Sequence, residues 1–139
     1  METFGEKLGL VQPGQIWSIK QAPNPEARAI IGRVEPFKGR MVLHLSVRDL
    51  APPGGVDAFE AEAELMIGHI PIALESAVES LSSLISPAGE ITPEFEQGYA
   101  EWKAAADKGQ AGIFIETIPD AIWDIFAVMR TGTPEEDDA

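Results

Sequence analysis

The two histidines, His44 and His69, are the side chains best suited to exchange protons near neutral pH. His44 lies in a segment that alternates polar and apolar residues, and Ser46 and Arg48 share its polar face. If both imidazoles lined one pocket with a carboxylate, they would supply the polar groups of a small enzyme or a ligand-binding protein. The competing interpretation is a surface histidine at position 44 and, at position 69, a histidine bonded to the backbone of a turn.

No sequence motif assigns a catalytic, cofactor-binding or metal-binding residue. The spacings HxH, HxxxH and HExxH do not occur, so a metal site would need His44 and His69 to converge on a carboxylate. The carboxylates considered for this role are Asp49, Glu60, Glu62 and Glu64. Ser46 lies outside any nucleophile-elbow motif, and the absence of cysteine excludes disulfides and thiolate catalysis. We therefore predict no cofactor and favour a non-catalytic protein over an enzyme.

Aromatic side chains form a second group of candidates. Tyr99 and Trp102 lie three residues apart, on the face of a predicted helix that also carries Phe95, and packing in the core is the interpretation that fits them best. Trp123 lies about 100° away from the apolar face of the last predicted helix. It either packs against a second layer or stays exposed to bind a partner. The full set of pocket or interface candidates is His44, Arg48, His69, Tyr99, Trp102 and Trp123.

The charge of the chain is large and unevenly distributed. Its 139 residues include 23 acidic and 10 basic side chains, for a net charge of -13, and 45% are hydrophobic, as in a folded domain. Residues 1–50 carry seven basic and five acidic side chains, whereas residues 51–139 carry three basic and eighteen acidic ones. Such acidity argues against binding to nucleic acid or to an anionic membrane. No targeting segment or apolar span is visible, which predicts a cytoplasmic protein.

The elements that carry the candidate residues begin with a strand-rich half. Strands are predicted at residues 15–20, 28–35 and 40–49, with a fourth at 62–67. Pro36 and Gly39 bound a short link between the second and third strands, which predicts an antiparallel hairpin. Gly32 predicts a bulge or bend in the second strand. Gly68 and His69 are expected to end the fourth strand.

The second half is predicted to be mostly helical. Pro71 is expected to begin a helix whose apolar positions continue to Ile85. Thr92 is the predicted N-cap of the next helix, and Gly109 is its predicted left-handed C-cap. Residues 112–117 predict one more short strand, and Pro119 is expected to begin the last helix. The apolar face of that helix consists of Ile122, Ile125, Phe126 and Met129.

This order of elements predicts an α+β fold in a single domain spanning residues 1–132. Consecutive strands joined by short links favour a strongly bent antiparallel sheet or an SH3-like partial barrel, followed by helices with one inserted strand. Residues 133–139 have almost no apolar side chain and four carboxylates, which predicts a disordered acidic tail.

Four short motifs carry a resemblance to known proteins. They are PGQI at residues 13–16, GHIP at 68–71, GYAEW at 98–102 and AGIF at 111–114. Together they resemble a family of small bacterial proteins over most of residues 12–130. The resemblance implies no established activity and therefore assigns no catalytic residue.

Two functions are compatible with these observations. The preferred hypothesis is a non-catalytic interaction module whose acidic helical half faces a basic protein partner, as in an immunity protein or an antitoxin. The alternative is a small enzyme or ligand-binding protein with a polar pocket around His44 and His69. A homodimer formed through the last helix and Trp123 is compatible with both hypotheses.

Overall fold

A computed structural model describes residues 11–22, 24–50 and 65–131 as a five-stranded antiparallel sheet with three helices. The strands are β1 (Ile16–Ile19), β2 (Arg28–Phe37), β3 (Arg40–Leu50), β4 (Leu65–Ala73) and β5 (Leu81–Ser86). The helices are α1 (Leu74–Ser80), α2 (Pro93–Asp107) and α3 (Ile118–Thr131). The predicted α+β class is therefore confirmed. No helix in the described ranges is long and apolar enough to cross a membrane.

The strand order is β4-β3-β2-β1-β5. The first four strands form a meander, and the short helix α1 carries the chain from β4 back to β1, where β5 pairs antiparallel. This order fits the prediction of a strongly bent antiparallel sheet or an SH3-like partial barrel. The β2–β3 hairpin turns at Lys38 and Gly39, which both have positive φ angles, of 52° and 83°, as a two-residue hairpin turn favours.

Gly32 forms the bulge that the sequence predicts in β2. The pairing of β2 with β3 shifts register between Ile31 and Arg33, so Gly32 is the extra residue. A side chain at this position would overlap the ring of Phe95, which packs directly over the glycine. The bulge therefore changes which side chains face α2 and makes room for an aromatic residue of that helix.

Three predictions for residues 65–86 are wrong in detail. β4 does not end at Gly68 and His69 but continues through Pro71, which pairs in register with His44 instead of beginning a helix. Proline is tolerated because, among the described strands, β4 lies at the edge of the sheet. The carbonyl of Pro71 accepts the N–H of Phe114 at 2.9 Å.

The helix predicted from Pro71 to Ile85 is limited to α1 (Leu74–Ser80), and the residues after α1 form β5. The free edge of β1 accounts for this difference, since β5 pairs with it and the Lys20 N–H donates to the Ser80 carbonyl at 2.7 Å. Tertiary strand pairing thus overrides a helical pattern of apolar residues. The inserted strand lies at 81–86, whereas residues 112–117 contribute a single parallel bridge between Phe114 and Ile72.

The two longer helices begin close to where the sequence predicts. The Thr92 hydroxyl accepts the Phe95 N–H at 3.2 Å, and Pro93 is the first residue of α2. Gly109 follows α2 with a φ of 72°, as a left-handed C-cap requires. α3 begins at Ile118, one residue before Pro119.

The main core lies on one side of the sheet, beneath α1 and α3. Its largest fully buried side chains include Trp17, Ile31, Leu43, Leu45, Ile70, Ile72, Leu81, Ile118 and Ile122. The opposite side of β3 and β4 is covered by α2. The centre of β3 is consequently buried on both faces, and all residues from 42 to 47 are inaccessible to solvent. Burial on both faces is unexpected for a strand of alternating polarity.

Some predictions fall on residues outside the described ranges. They concern Glu60, Glu62 and Glu64, the acidic tail at 133–139, and the side chains of Phe126 and Met129.

Candidate functional site

The structure brings the two histidines into direct contact. His44 on β3 pairs with Pro71 on β4, so His69, two residues from Pro71, is its diagonal neighbour on the same face of the sheet. Nδ1 of His44 lies 2.8 Å from Nε2 of His69. The interpretation of two unrelated histidines, one on the surface and one in a turn, is wrong because β4 extends beyond His69.

The two imidazole rings meet edge to edge. Their planes differ by 15° and their centroids are 5.0 Å apart, while the two facing nitrogens are only 2.8 Å apart. These three values place both nitrogens close to the line between the centroids. The contact is therefore an in-plane hydrogen bond rather than a face-to-face stack.

Glu35 on β2 completes a hydrogen-bonded row across three neighbouring strands. Its Oε2 lies 2.9 Å from Nε2 of His44. The bulge at Gly32 makes this contact possible: Ile31 faces the main core, and beyond the bulge Arg33 pairs with His44. Without the bulge, strict alternation from Ile31 would direct Glu35 into the main core. We call the row Glu35–His44–His69 the histidine relay.

Two further side chains hold the carboxylate of Glu35. The Tyr99 hydroxyl lies 3.0 and 3.1 Å from its two oxygens, and Nε of Arg33 lies 3.0 Å from Oε1. The Arg33 guanidinium also lies 5.0 Å from the centre of the Tyr99 ring. Burial by itself would raise the pKa of Glu35, but the donors Arg33, Tyr99 and His44 outweigh it and lower the pKa. Glu35 is therefore ionised at neutral pH.

The ionised carboxylate determines the position of each proton in the relay. A carboxylate only accepts hydrogen bonds, so Nε2 of His44 carries a proton and donates to Glu35. In a neutral His44, Nδ1 is then the acceptor, and Nε2 of His69 must be the donor. We assign His69 a proton on Nε2 and a lone pair on Nδ1. No hydrogen bond to that Nδ1 comes from any residue in the described part of the chain.

Both histidines are neutral near pH 7. Burial lowers the pKa of His44, although the charge of Glu35 opposes that shift. Burial and the neighbouring His44 lower the pKa of His69 from its ordinary value of 6.5 to about 4. His69 is therefore a neutral imidazole, with one ring nitrogen free of a proton, over the whole physiological range.

Aromatic rings enclose the histidine relay. The Trp102 ring lies 4.6 Å from His44 and the Tyr99 ring 4.9 Å from it, both edge-on, while Phe95 lies 5.6 Å from His69. The helix α2 carries all three rings on one face. It can approach β4 closely because residue 98 is a glycine: a Cβ there would lie only 2.6 Å from the Cβ of His69.

One side of the relay opens onto a groove between β4 and α2. The groove has a volume of about 440 Å³, and His69 forms part of its wall. The other lining residues are Ile67, Gly68, Glu94, Gln97, Gly98 and Glu101. The carboxylates Glu94 and Glu101 in its lining are exposed, and its wall includes the base at the end of the relay.

Four of the six residues predicted for a pocket or an interface meet here, and two do not. His44, His69, Tyr99 and Trp102 are in mutual contact. Arg48 lies at the other end of β3, where its Nε is 3.4 Å from the Asp49 carboxylate. Trp123 is 49% exposed on α3, beyond the opposite face of the sheet. Its ring is therefore exposed, and binding of a partner through it stays a prediction.

Sequence reasoning missed Glu35 and Arg33, and it placed Tyr99 and Trp102 in the core. Both aromatic residues are only half-buried and pack on the histidines instead. The only sequence signal for Glu35 is Gly32, because a bulge reverses the face of every later residue in the strand. Ser46 is buried on the same face as His44 without a hydrogen bond between them.

The site has two histidines and a carboxylate, but they are not arranged as a metal centre. Within the described ranges, no group of three or more histidine, cysteine or carboxylate side chains is arranged to hold a metal ion. The histidine nitrogens that face each other are already joined by a hydrogen bond. The arrangement is instead that of a base oriented by a carboxylate through a second imidazole.

Comparisons of the chain with protein-family models, with curated protein sequences and with solved structures find no match. The short motifs that resemble a bacterial family consequently assign no role to any residue of the site. Any function for the histidine relay rests on the geometry and electrostatics of the described residues.

Proposed function

We propose that this chain binds a small polar ligand in the groove beside His69, and that Nδ1 of His69 accepts a hydrogen bond or a proton from it. The observation that carries the proposal is the continuous hydrogen-bonded row from Glu35 through His44 to His69. The row ends at a neutral base in the wall of a groove of about 440 Å³. Pockets of this size accommodate small molecules.

The relay gives His69 a way to pass a proton inward. When Nδ1 of His69 takes a proton, Nε2 of the same ring can release its own proton to Nδ1 of His44. His69 is then neutral again, and His44 is an imidazolium whose Nε2–H still donates to Glu35. The positive charge thus comes to lie beside a carboxylate, which stabilises it. In an enzyme, His69 would act as the general base for a bound substrate.

The first test measures the protonation of the relay by nitrogen-detected NMR of the two imidazoles. We expect His69 to carry its proton on Nε2 and to titrate near pH 4. A folded-state pKa below the ordinary 6.5 means that His69 favours the folded state above pH 6.5, and that this contribution is lost as the pH falls towards 4. Glu35→Gln removes a charge that raises both histidine pKa values, so it should lower both. A His69 that titrates near 6.5 would contradict the assignment.

The second test measures ligand binding with neutral hydrogen-bond donors, such as phenol and acetamide, added to labelled protein. We expect saturable shifts at Gly68, Gln97 and Gly98, which His69→Gln should abolish. Arg48→Ser is the matched control, because Arg48 lies outside the site, and it should bind as the native chain does. Equal binding by His69→Gln and the native chain would rule out the proposal.

A second candidate function is an interaction module that acts in the cytoplasm on a basic protein partner. It is supported by the exposed carboxylates of α2, which project from a region with far more acidic than basic residues. These carboxylates are Glu94, Glu96, Glu101 and Asp107. Immunity proteins and antitoxins are the class of protein that such a surface suits.

Its test is capture of partners from native lysate at low and high salt. A basic partner should be retained at low salt, released at high salt, and lost when Glu96 and Glu101 are changed to Lys. Changing Glu75 and Glu79 of α1 to Lys alters the charge equally and should have no effect. Capture that is insensitive to salt, or that both pairs of changes abolish alike, would argue against this function.

A homodimer formed through α3 remains a further proposal, supported by the exposed ring of Trp123. Sedimentation at high protein concentration distinguishes a dimer from a 15.0 kDa monomer. A monomer at all concentrations would exclude it.

A further inference from the structure

We propose that a second cleft, between the β2–β3 turn and residues 111–113, binds a small ligand that carries an oxyanion, either a phosphate or a carboxylate. The cleft has a volume of about 470 Å³ and lies apart from the groove beside His69. One wall is the turn, residues 37–40, and the other is Ala111, Gly112 and Ile113. Its size is that of a small-molecule site.

Two cationic side chains of the turn, Lys38 and Arg40, line this cleft. In a chain with 23 acidic residues, neither cation forms a salt bridge to any carboxylate in the described ranges. Nζ of Lys38 instead lies 5.2 Å from the centre of the Phe37 ring. A guanidinium beside an ammonium provides both the planar fork and the point charge that bind an oxyanion.

The walls of the cleft are held in place by one side chain, Trp102. Its indole N–H donates to the Gly112 carbonyl at 2.9 Å, and its ring lies 4.9 Å from the ring of Phe37. The turn and residues 111–113 are therefore both anchored to α2 before any ligand arrives. Such preorganisation reduces the cost of binding. Because Trp102 also lies 4.6 Å from His44, a ligand here should be detected at the histidine relay.

The composition of the cleft selects a small anion over a nucleic acid. Two cations can neutralise one phosphate or carboxylate group, whereas a nucleic-acid groove needs a longer basic stripe. Phe37 and Ile113 provide an apolar wall beside the charges. The expected ligand is therefore one oxyanion attached to a compact apolar body.

The test titrates labelled protein with phenyl phosphate, benzoate and benzylamine, and follows amide shifts and tryptophan fluorescence. We expect saturable shifts at Lys38, Arg40 and Gly112 with at least one of the two anions and none there with the cation. Stronger binding of phenyl phosphate or of benzoate identifies the preferred oxyanion.

Variants then assign the binding to the cleft. The double change Lys38→Ser and Arg40→Ser should weaken binding at least tenfold. The double change Lys20→Ser and Arg48→Ser removes the same charge far from the turn and should leave binding within twofold. Absence of saturable shifts at the cleft, or equal loss of affinity in both double variants, would overturn the proposal.

Discussion

The polar face of β3 has two ends that look alike in the sequence and differ completely in the structure. At one end His44 is fully buried, hydrogen-bonded at both nitrogens and surrounded by aromatic rings. At the other end Arg48 is 44% exposed, and its Nε lies 3.4 Å from the neighbouring Asp49. The two residues are four positions apart on one strand. What separates them is α2, which covers the first end and, within the described structure, leaves the second end open.

The difference shows that strand alternation identifies a shared face but not the environment of that face. A polar side chain that is covered must find partners, because burying an unpaired polar group is costly. His44 finds them in Glu35 and His69, and the aromatic rings of α2 help to shield His44 from water. Arg48 remains in water, where an ion pair adds little stability.

The largest expected effect comes from replacing His44, the buried residue of this comparison. His44→Ala should lower the free energy of unfolding by about 3 kcal/mol, since it leaves Glu35 and His69 without their shared partner. Urea denaturation with an unchanged m-value measures the loss. Ser46→Ala, buried on the same face without a bond to the relay, is the control and should cost less than about 1 kcal/mol. Equal losses in the two variants would show that the relay does not stabilise the fold.

A smaller effect is expected from a substitution that pushes α2 away from β4. Gly98→Ala places a Cβ against the Cβ of His69, and neither atom can rotate away. We expect a loss of about 1–2 kcal/mol, because overpacking outweighs the better helix propensity of alanine. A more exposed relay should also return the pKa of His69 towards 6.5.

Gly112→Ala is the matched control, since a Cβ there meets no atom within 4 Å. Thermal denaturation measures the loss of stability, and histidine NMR measures the pKa of His69. A Gly98→Ala variant that is more stable than the native chain would contradict the close approach of α2 to β4.

The smallest effect is expected at the exposed end. Arg48→Ala should change the free energy of unfolding by no more than about 0.5 kcal/mol, because Arg48 and its partner Asp49 are both partly exposed to water. It should leave the titration of both histidines unchanged. A shift in the pKa of His44 in this variant would mean that the two ends of β3 are electrically coupled.

Local signals in the sequence predicted the features that depend on neighbouring residues well. The turn at Lys38 and Gly39, the bulge at Gly32 and the cap at Thr92 each depend on residues that are adjacent in the chain. Residues 65–86 were predicted less well because their structure depends on distant neighbours. Pro71 is accommodated in β4 because this strand lies at the edge of the sheet. β5 forms because it pairs with the free edge of β1.

The candidate site shows the same division. The sequence identified His44, His69, Tyr99 and Trp102 as candidates from their chemistry and spacing, but it could not show that they touch. It did not identify Glu35, because a single extra residue at Gly32 reverses the side of β2 on which Glu35 lies. It included Arg48 and Trp123, which have the right chemistry and lie elsewhere.

The sequence by itself determined the α+β class, the hairpin, the caps of α2 and the concentration of negative charge after residue 50. These features follow from local backbone preferences and composition, which need no knowledge of distant contacts. Only the tertiary structure decided which polar residues are buried together and which nitrogen of each imidazole carries the proton. Those outcomes depend on the register of β4 against β3 and on the approach of α2. Both are set by packing between residues far apart in the chain.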